Sequence, residues 1–232
     1  MPASAIRGGG AGDAATERRA CDTMPIGLLG RKVGMTQIFD EHGKAVPVTV
    51  IQAGPCPVVQ KKTVDQDGYD AIQIGFQSEP KAARLPRPLR GHFDKVKVPY
   101  QRLLREIRLR GGEGDFQVGQ VLTVGLFAAG DRVRVTGTTK GRGFQGGVKR
   151  WGYRGGPKTH GSMFHRAPGS IGASSYPSRV FRGHHMPGHM GATRQTVRGL
   201  RVVSVDSEKN LLLVRGAIPG PTGGLLTIQK GK

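Results

Sequence analysis

Residues 46–54 read VPVTVIQAG. Apolar and other side chains alternate along this run, as a half-buried strand requires and a helix does not. Read at period two, Val46, Val48 and Val50 fall on one inward side. AIQIGF at 71–76 repeats the pattern with Ile72, Ile74 and Phe76, after a turn, DQDGYD, that carries Gly68 near its centre. DRVRVTG at 131–137 sets Val133 and Val135 inward and Arg132 and Arg134 outward. LRVVSVD, NLLLVRGAI and GLLTIQK form a last strand set, parted by SEK and PGPTG turns. The strand-like stretches (about 26–80, 118–136 and 199–232) total roughly a hundred residues, enough for one hydrophobic core. Many short strands with Gly, Pro, Asn and Asp turns indicate a mostly β chain, and favour a small antiparallel barrel over a parallel sheet.

Two insertions interrupt the strands. The first, 81–117, begins KAARLPRPLRGHF and continues PYQRLLREIRLRGG. Leu103, Leu104 and Ile107 suit a helix, whereas Leu103, Ile107 and Leu109 suit one face of a strand; the pattern leaves both open. The second insertion, 137–198, leaves one strand-like run and returns to another. Loops beyond about 12–15 residues are uncommon in a compact domain and carry function or disorder. The reading thus divides the chain into a disordered N-terminal extension (1–24), a β-barrel domain (25–80 with 118–136 and 199–232), a small inserted subdomain (81–117) and an extended loop (137–198).

Charge decides what that loop meets. The 232-residue chain has a formal net charge of +20 and a pI near 10.9, which points to a polyanionic partner. From Arg132 to Val205 there are 14 Lys or Arg and no Asp or Glu, while the remainder carries 22 basic and 16 acidic groups. An ordinary solvated surface mixes both signs, so the acid-free block is built to lie against something negative. Ordering a residue's backbone costs roughly 1–2 kcal/mol. The loop's apolar side chains, from Phe144 and Val148 to Met186 and Met190, are too scattered to offset that by self-burial. The loop is therefore expected to gain its order from a partner. Glycine permits close backbone approach, Lys and Arg hold phosphates, and aromatic and imidazole rings stack on unpaired bases. Those ingredients together indicate RNA. The candidate contacts are Lys140, Arg142, Phe144, Lys149, Arg150, Trp151, Tyr153, Arg154, Lys158, His160, His165, Arg166, Arg179, Arg182, His184, His185, His189 and Arg194.

Several other chemistries are weighed and set aside. GRGFQG at 141–146 fits GxGxxG, but no acidic residue follows until Asp206, and Pro157 and nearby glycines forbid the helix a dinucleotide site needs. The five histidines of the loop have no cysteine or carboxylate near them to complete a metal site. PGSIG at 168–172 is not GxSxG, and no local acid is present to orient a histidine, so a catalytic Ser170 is not expected. Cys21 and Cys56 are too few and too far apart for a disulfide framework and read as free thiols, Cys56 as a small buried residue. No apolar run approaches the roughly 18–20 residues of a membrane span, and residues 1–23 lack a secretory apolar region. No catalytic residue, metal, cofactor, membrane or small-molecule substrate is expected.

The stretches at 27–63 (GLLGRKVGMTQIFDEHGKAVPVTVIQAGPCPVVQKKT), 136–151 (TGTTKGRGFQGGVKRW), 165–172 (HRAPGSIG), 179–191 (RVFRGHHMPGHMG) and 210–224 (NLLLVRGAIPGPTGG) closely resemble, in order, the bacterial form of the large-subunit ribosomal protein L-three family. The resemblance runs from about Pro25 to the C-terminus. It implies a six-stranded antiparallel barrel of the translation-protein type with a long basic loop. It also implies direct binding to large-subunit ribosomal RNA, neighbouring large-subunit proteins as partners, a role in early subunit assembly, and a cytoplasmic, ribosomal location. By matching positions, Lys140, Arg142, Lys149, Arg150, Trp151, Arg154, Arg179 and Arg182 would line the loop's stalk. Ser170, Ile171, Gly172, Ala173, Ser174, Ser175 and Tyr176 would form a tip near the peptidyl transferase centre. Ala173 and Ser175 stand where many relatives have the glutamine that some methylate, so no such modification is expected. RGHHM at 182–186 replaces a lysine-rich run, exchanging two fixed charges for imidazoles. Two alternatives remain beside this reading: a general RNA chaperone or architectural protein, and a barrel-fold flavin-type reductase.

Overall fold

The computed structural model describes residues 27–109 and 116–231. The expected N-terminal extension, with Cys21, lies outside them. The chain is mostly β. Its first strands are β1 (Gly27–Phe39), β2 (Ala45–Ala53), β3 (Cys56–Lys62), β4 (Ala71–Ser78), β5 (Gln101–Arg108) and β6 (Val121–Leu122). They are followed by β7 (Arg132–Thr138), β8 (Gly143–Gln145), β9 (Gly188–Met190), β10 (Arg194–Asp206), β11 (Leu211–Arg215) and β12 (Leu225–Lys230). The helices are short: α1 (Val64–Asp67), α2 (Arg87–Val96) and α3 (Gly147–Trp151). Two compact units result, Thr138–Gln195 and the rest of the described chain.

In the larger unit, unit 1, one sheet runs in the order β1-β12-β7-β10-β11-β2 and returns from β2 to β1. The pairings of β1 with β12 and β2, of β12 with β7, and of β11 with β10 and β2 are antiparallel. A second sheet has the order β5-β4-β3-β6. CPVVQKK and AIQIGF therefore leave the first sheet, where the alternation pattern alone had grouped them. Two residues explain the departure. Gly54 turns with φ 79°, and Pro55 has no amide hydrogen with which β2 could extend its ladder. The chain starts afresh at Cys56, whose thiol lies 3.6 Å from the Leu29 carbonyl oxygen; burial pushes that thiol's pKa up to about 11.

The inward phase of β2 also differs from the period-two reading. Thr49, Ile51 and Ala53 are fully buried, whereas Val46 and Val50 are half-buried; only Val48 of the three valines is buried. Threonine looks polar in sequence, but its Oγ1 donates to the Gly216 carbonyl at 2.6 Å, which satisfies the hydroxyl out of water. Elsewhere the alternation holds. Ile72, Ile74, Phe76, Val133 and Val135 all enter the main core beside Leu28, Leu212, Leu226 and Ile228. The first three residues of DQDGYD lie in α1, which is capped by Gly68 in the left-handed conformation, φ 78°.

Residues 101–108 form a strand. β5 pairs with β4 from Gln101↔Ser78 to Arg108↔Ala71. Leu103 and Ile107 face the main core, while Leu104 faces a smaller one formed by Val59, Leu85, Val98 and Phe93 of α2. A strand with apolar residues on both faces has no clean period, which is why sequence left helix and strand open. Each such side chain, fully buried, contributes roughly 1.5–3 kcal/mol.

One ionic network ties this second sheet. Lys62 Nζ sits 3.0 Å from Glu106 and donates to the Tyr69 hydroxyl at 2.9 Å, which donates on to Glu106 at 2.9 Å. The Lys62 ammonium, and next the Tyr69 hydroxyl, hold the Glu106 carboxyl below its ordinary range against the opposing effect of burial. A carboxyl with a lowered folded pKa contributes stability above its unfolded value, and that contribution fades as pH falls through the folded one. Glu106→Gln is therefore expected to destabilise the chain at pH 7 and to flatten the loss of stability below about pH 4.5. Urea midpoints of both chains at stepped pH measure this; parallel curves would contradict it.

Candidate nucleic-acid interface

Unit 2, Thr138–Gln195, contains ten Lys or Arg, five His and no carboxylate. None of its cations can find an ion-pair partner within it. Its base is the pair β8–β9, in register Gly143↔Met190, Phe144↔His189 and Gln145↔Gly188. Beside this pair the Arg142 amide donates to the Met190 carbonyl at 2.9 Å, and Thr139 to Thr193 at 2.9 Å. Gly191 completes the return with φ 76°, and a Cβ there would lie 2.1 Å from the Lys140 carbonyl oxygen. Only glycine fits that crossing.

The GxGxxG stretch holds β8 and ends at Gly146, which caps α3, a helix of only five residues and too short for a dinucleotide site. Gly152, at φ 75°, ends α3 and sends the chain back along residues 185–188. There Arg150 and the Trp151 indole N–H, at 2.9 Å, both donate to the Met186 carbonyl. Tyr153 donates to the His185 carbonyl at 2.6 Å. The Trp151 ring lies parallel to the His185 imidazole, 3.9 Å between centroids and 6° between planes. The Arg150 guanidinium is 4.8 Å from the Trp151 centroid. Arg150, Trp151, Tyr153 and His185 thus form one internally held cluster. Their separation of more than thirty residues gave sequence no hint of it.

Further out, the Gly156 amide donates to the His165 carbonyl at 3.0 Å. A Cβ on Gly156 would lie 1.7 Å from the Phe164 carbonyl oxygen. The His165 imidazole Nδ1 is 2.9 Å from the Pro157 carbonyl oxygen. In the middle of the segment the Ser170 hydroxyl donates to the Gly172 carbonyl at 2.8 Å, and Ser178 donates to Ser175. All of residues 170–176 are exposed, Tyr176 at 90%.

Within the unit Gly147 alone is buried, and neither core cluster receives a side chain from it. The candidate residues Lys140, Arg142, Phe144, Lys149, Trp151, Arg154, Lys158, His160, His165, Arg166, Arg179, Arg182, His184, His185, His189 and Arg194 are exposed; Arg150 and Tyr153 are half-buried. Phe164 and Phe181 are exposed as well, Phe181 beneath the Arg179 guanidinium at 5.3 Å. The candidate set omits both. The available signal was an aromatic beside an arginine or histidine in an acid-free stretch.

Among the described residues no three His, Cys, Asp or Glu side chains converge to hold a metal ion, and no helix is long and apolar enough to cross a membrane. Unit 1 carries an open cleft of about 390 Å³ lined by Gln52, Pro55, Phe76, Gln77, Pro99, Gln101 and their neighbours, none of them ionisable.

Comparison with known proteins decides the family. The family model for ribosomal protein L3 matches residues 114–211, a span that takes in all of unit 2. The large ribosomal subunit protein uL3 of Pelotomaculum thermopropionicum is 56% identical over 207 residues, covering 89% of this chain and 97% of its own length. That of Carboxydothermus hydrogenoformans is 54% identical over 212 residues, covering 90% of this chain and 100% of its own. The chain belongs to the ribosomal protein L3 family. As a member of it, the chain is a structural protein of the ribosome and not an enzyme. The cleft of unit 1 therefore needs no catalytic reading, and the question becomes what unit 2 touches.

Proposed function

We propose that residues 138–195 lie within folded large-subunit ribosomal RNA, and that unit 1 is the globular anchor of the segment. One observation carries this: an exposed, cation-rich unit without a carboxylate or a core of its own, in a member of a large-subunit ribosomal protein family. Arginines and lysines would neutralise phosphates, and exposed rings such as Phe144 and Tyr176 would stack on unpaired bases. The Arg150–Trp151–His185 cluster would hold the stalk's two strands together while the RNA orders the rest. The exposed tip, Ser170–Tyr176, would approach the peptidyl transferase centre and support the RNA fold without entering the reaction. We read the six-strand sheet of unit 1 as the translation-protein type of barrel, and early subunit assembly as the stage at which the chain is needed. Neighbouring large-subunit proteins would meet unit 1.

Ultraviolet crosslinking of purified large subunits, followed by mass spectrometry of the nucleotide-bearing peptides, tests the reading. Adducts are expected on peptides spanning 138–195, with Phe144, Tyr153 and Tyr176 among the modified residues. Subunits lacking the chain, or adducts confined to unit 1, would overturn it.

A further inference from the structure

We propose that the exposed face of α2 is a second RNA-docking surface, located in unit 1, at which Gly91 lets a phosphodiester backbone approach the helix between Arg87 and Lys95. The inference goes beyond the reading of unit 2 and shares with it only the premise that the partner is RNA. It starts from a residue the chain itself does not explain. Phe93 of α2 is fully buried and Val96 half-buried, so the helix packs on one side and presents the other to solvent. Arg87, Gly91 and Lys95 are spaced by four, which stacks them along that outward face, and all three are exposed. Arg87 and Lys95 stand about 12 Å apart along the axis at 1.5 Å per residue.

Glycine in a helix interior is destabilising relative to alanine, because it frees the unfolded backbone and adds no side chain. It is retained where φ must be positive or where something passes close. Gly91 does not have a positive φ, and a Cβ built on it meets nothing within 4 Å. Among the described residues no turn, bulge or internal contact requires it. A surface that comes close from outside does.

The charges around it say what surface that is. Between residues 79 and 108 the carboxylates are already engaged. Glu79 pairs with Arg84 at 3.3 Å, Asp94, the acid of α2 itself, accepts from the Tyr100 hydroxyl at 2.8 Å, and Glu106 is held by Lys62 and Tyr69. Arg90 is fixed by its donation to the Leu85 carbonyl at 2.9 Å. Arg87 and Lys95, with Lys81 and Lys97 nearby in sequence, have no side-chain partner among the described residues. Two unpaired cations flanking a notch that admits close approach fit a chain of phosphates. An acidic protein surface is the competing occupant.

The test uses the full chain and purified large-subunit ribosomal RNA, with binding measured at several salt concentrations and thermal unfolding measured without RNA. Gly91→Ala is expected to raise the unfolding midpoint of the free chain and to lower its RNA affinity, opposite signs that a merely structural glycine cannot produce. Arg87→Ala with Lys95→Ala is expected to reduce the slope of log affinity against log salt by about 1.5, at roughly 0.7–0.9 per phosphate contact. A stabilised Gly91→Ala chain with unchanged affinity, together with an unchanged slope in the charge variant, would overturn the proposal. Normal RNA binding combined with loss of the variants from assembled subunits would overturn it in favour of an acidic protein partner. Failure of the unmutated chain to bind the RNA would bring down the reading of unit 2 as well, whereas equal binding by all three chains removes the α2 surface alone.

Discussion

A chain in which a short turn replaces residues 138–195 is expected to fold, and to be absent from large ribosomal subunits. Both halves follow from where the side chains lie. Every residue of the two core clusters is outside the removed segment, so no buried apolar contact is lost. The cut ends are already together: β7 and β10 are neighbours in the sheet, and the Thr136 and Thr196 hydroxyls are 2.8 Å apart. A two-residue hairpin can join such strands. Cooperative urea unfolding of the truncated chain is therefore expected. Its attraction to RNA is a different matter, because the segment holds ten of the chain's 36 lysines and arginines and none of its 16 carboxylates. Each phosphate contact adds roughly 0.7–0.9 to the salt slope, and 6–10 contacts cost about three to five powers of ten in affinity between 50 and 200 mM salt. The intact chain should show a fall on that scale and the truncated chain a much shallower one. A truncated chain that entered subunits normally, or kept the full salt slope, would mean that unit 1 is the main anchor.

The legible and illegible parts of the fold divide by physical cause. AIQIGF and DRVRVTG gave their inward residues correctly because the large apolar side chains of each recur at period two and all enter the main core. VPVTVIQAG gave the wrong phase, since burial of Thr49 rests on a hydroxyl bonded to Gly216, 167 residues away. No local pattern reports such a partner. The second sheet was hidden for a similar reason. Gly54 and Pro55 were visible as a break, but what the chain pairs with after a break is set by long-range register. Strand β5 stayed ambiguous because two cores share it.

The candidate segment was legible in charge and illegible in shape. An acid-free block is a property of composition, so it stood out before any fold was known. The stacking of Trp151 on His185, and the passage of Gly156 against Phe164, join residues that only the folded path brings together. Sequence alone does not single out the proposed α2 surface, because its lysines and arginines resemble an ordinary solvated face. Gly91 becomes informative only once no described residue is seen to approach it.

On the proposed function, residues 138–195 take their order from RNA. The segment's own supports are few: the three-residue strands of β8–β9, a five-residue helix and scattered turns, all without a core. Local opening of such a region has a free energy near zero, whereas amides in the core strands open only with the whole domain. Amide hydrogen exchange, measured on the free chain and on purified large subunits, reads this residue by residue. In the free chain, amides from 154 to 184, beyond the β8–β9 pair and the Trp151–His185 stack, should exchange at close to unstructured rates while those of β2 and β7 stay protected. In the subunit both sets should be slow. Strong protection across 154–184 in the free chain would contradict the claim, since the segment would then hold its shape without RNA.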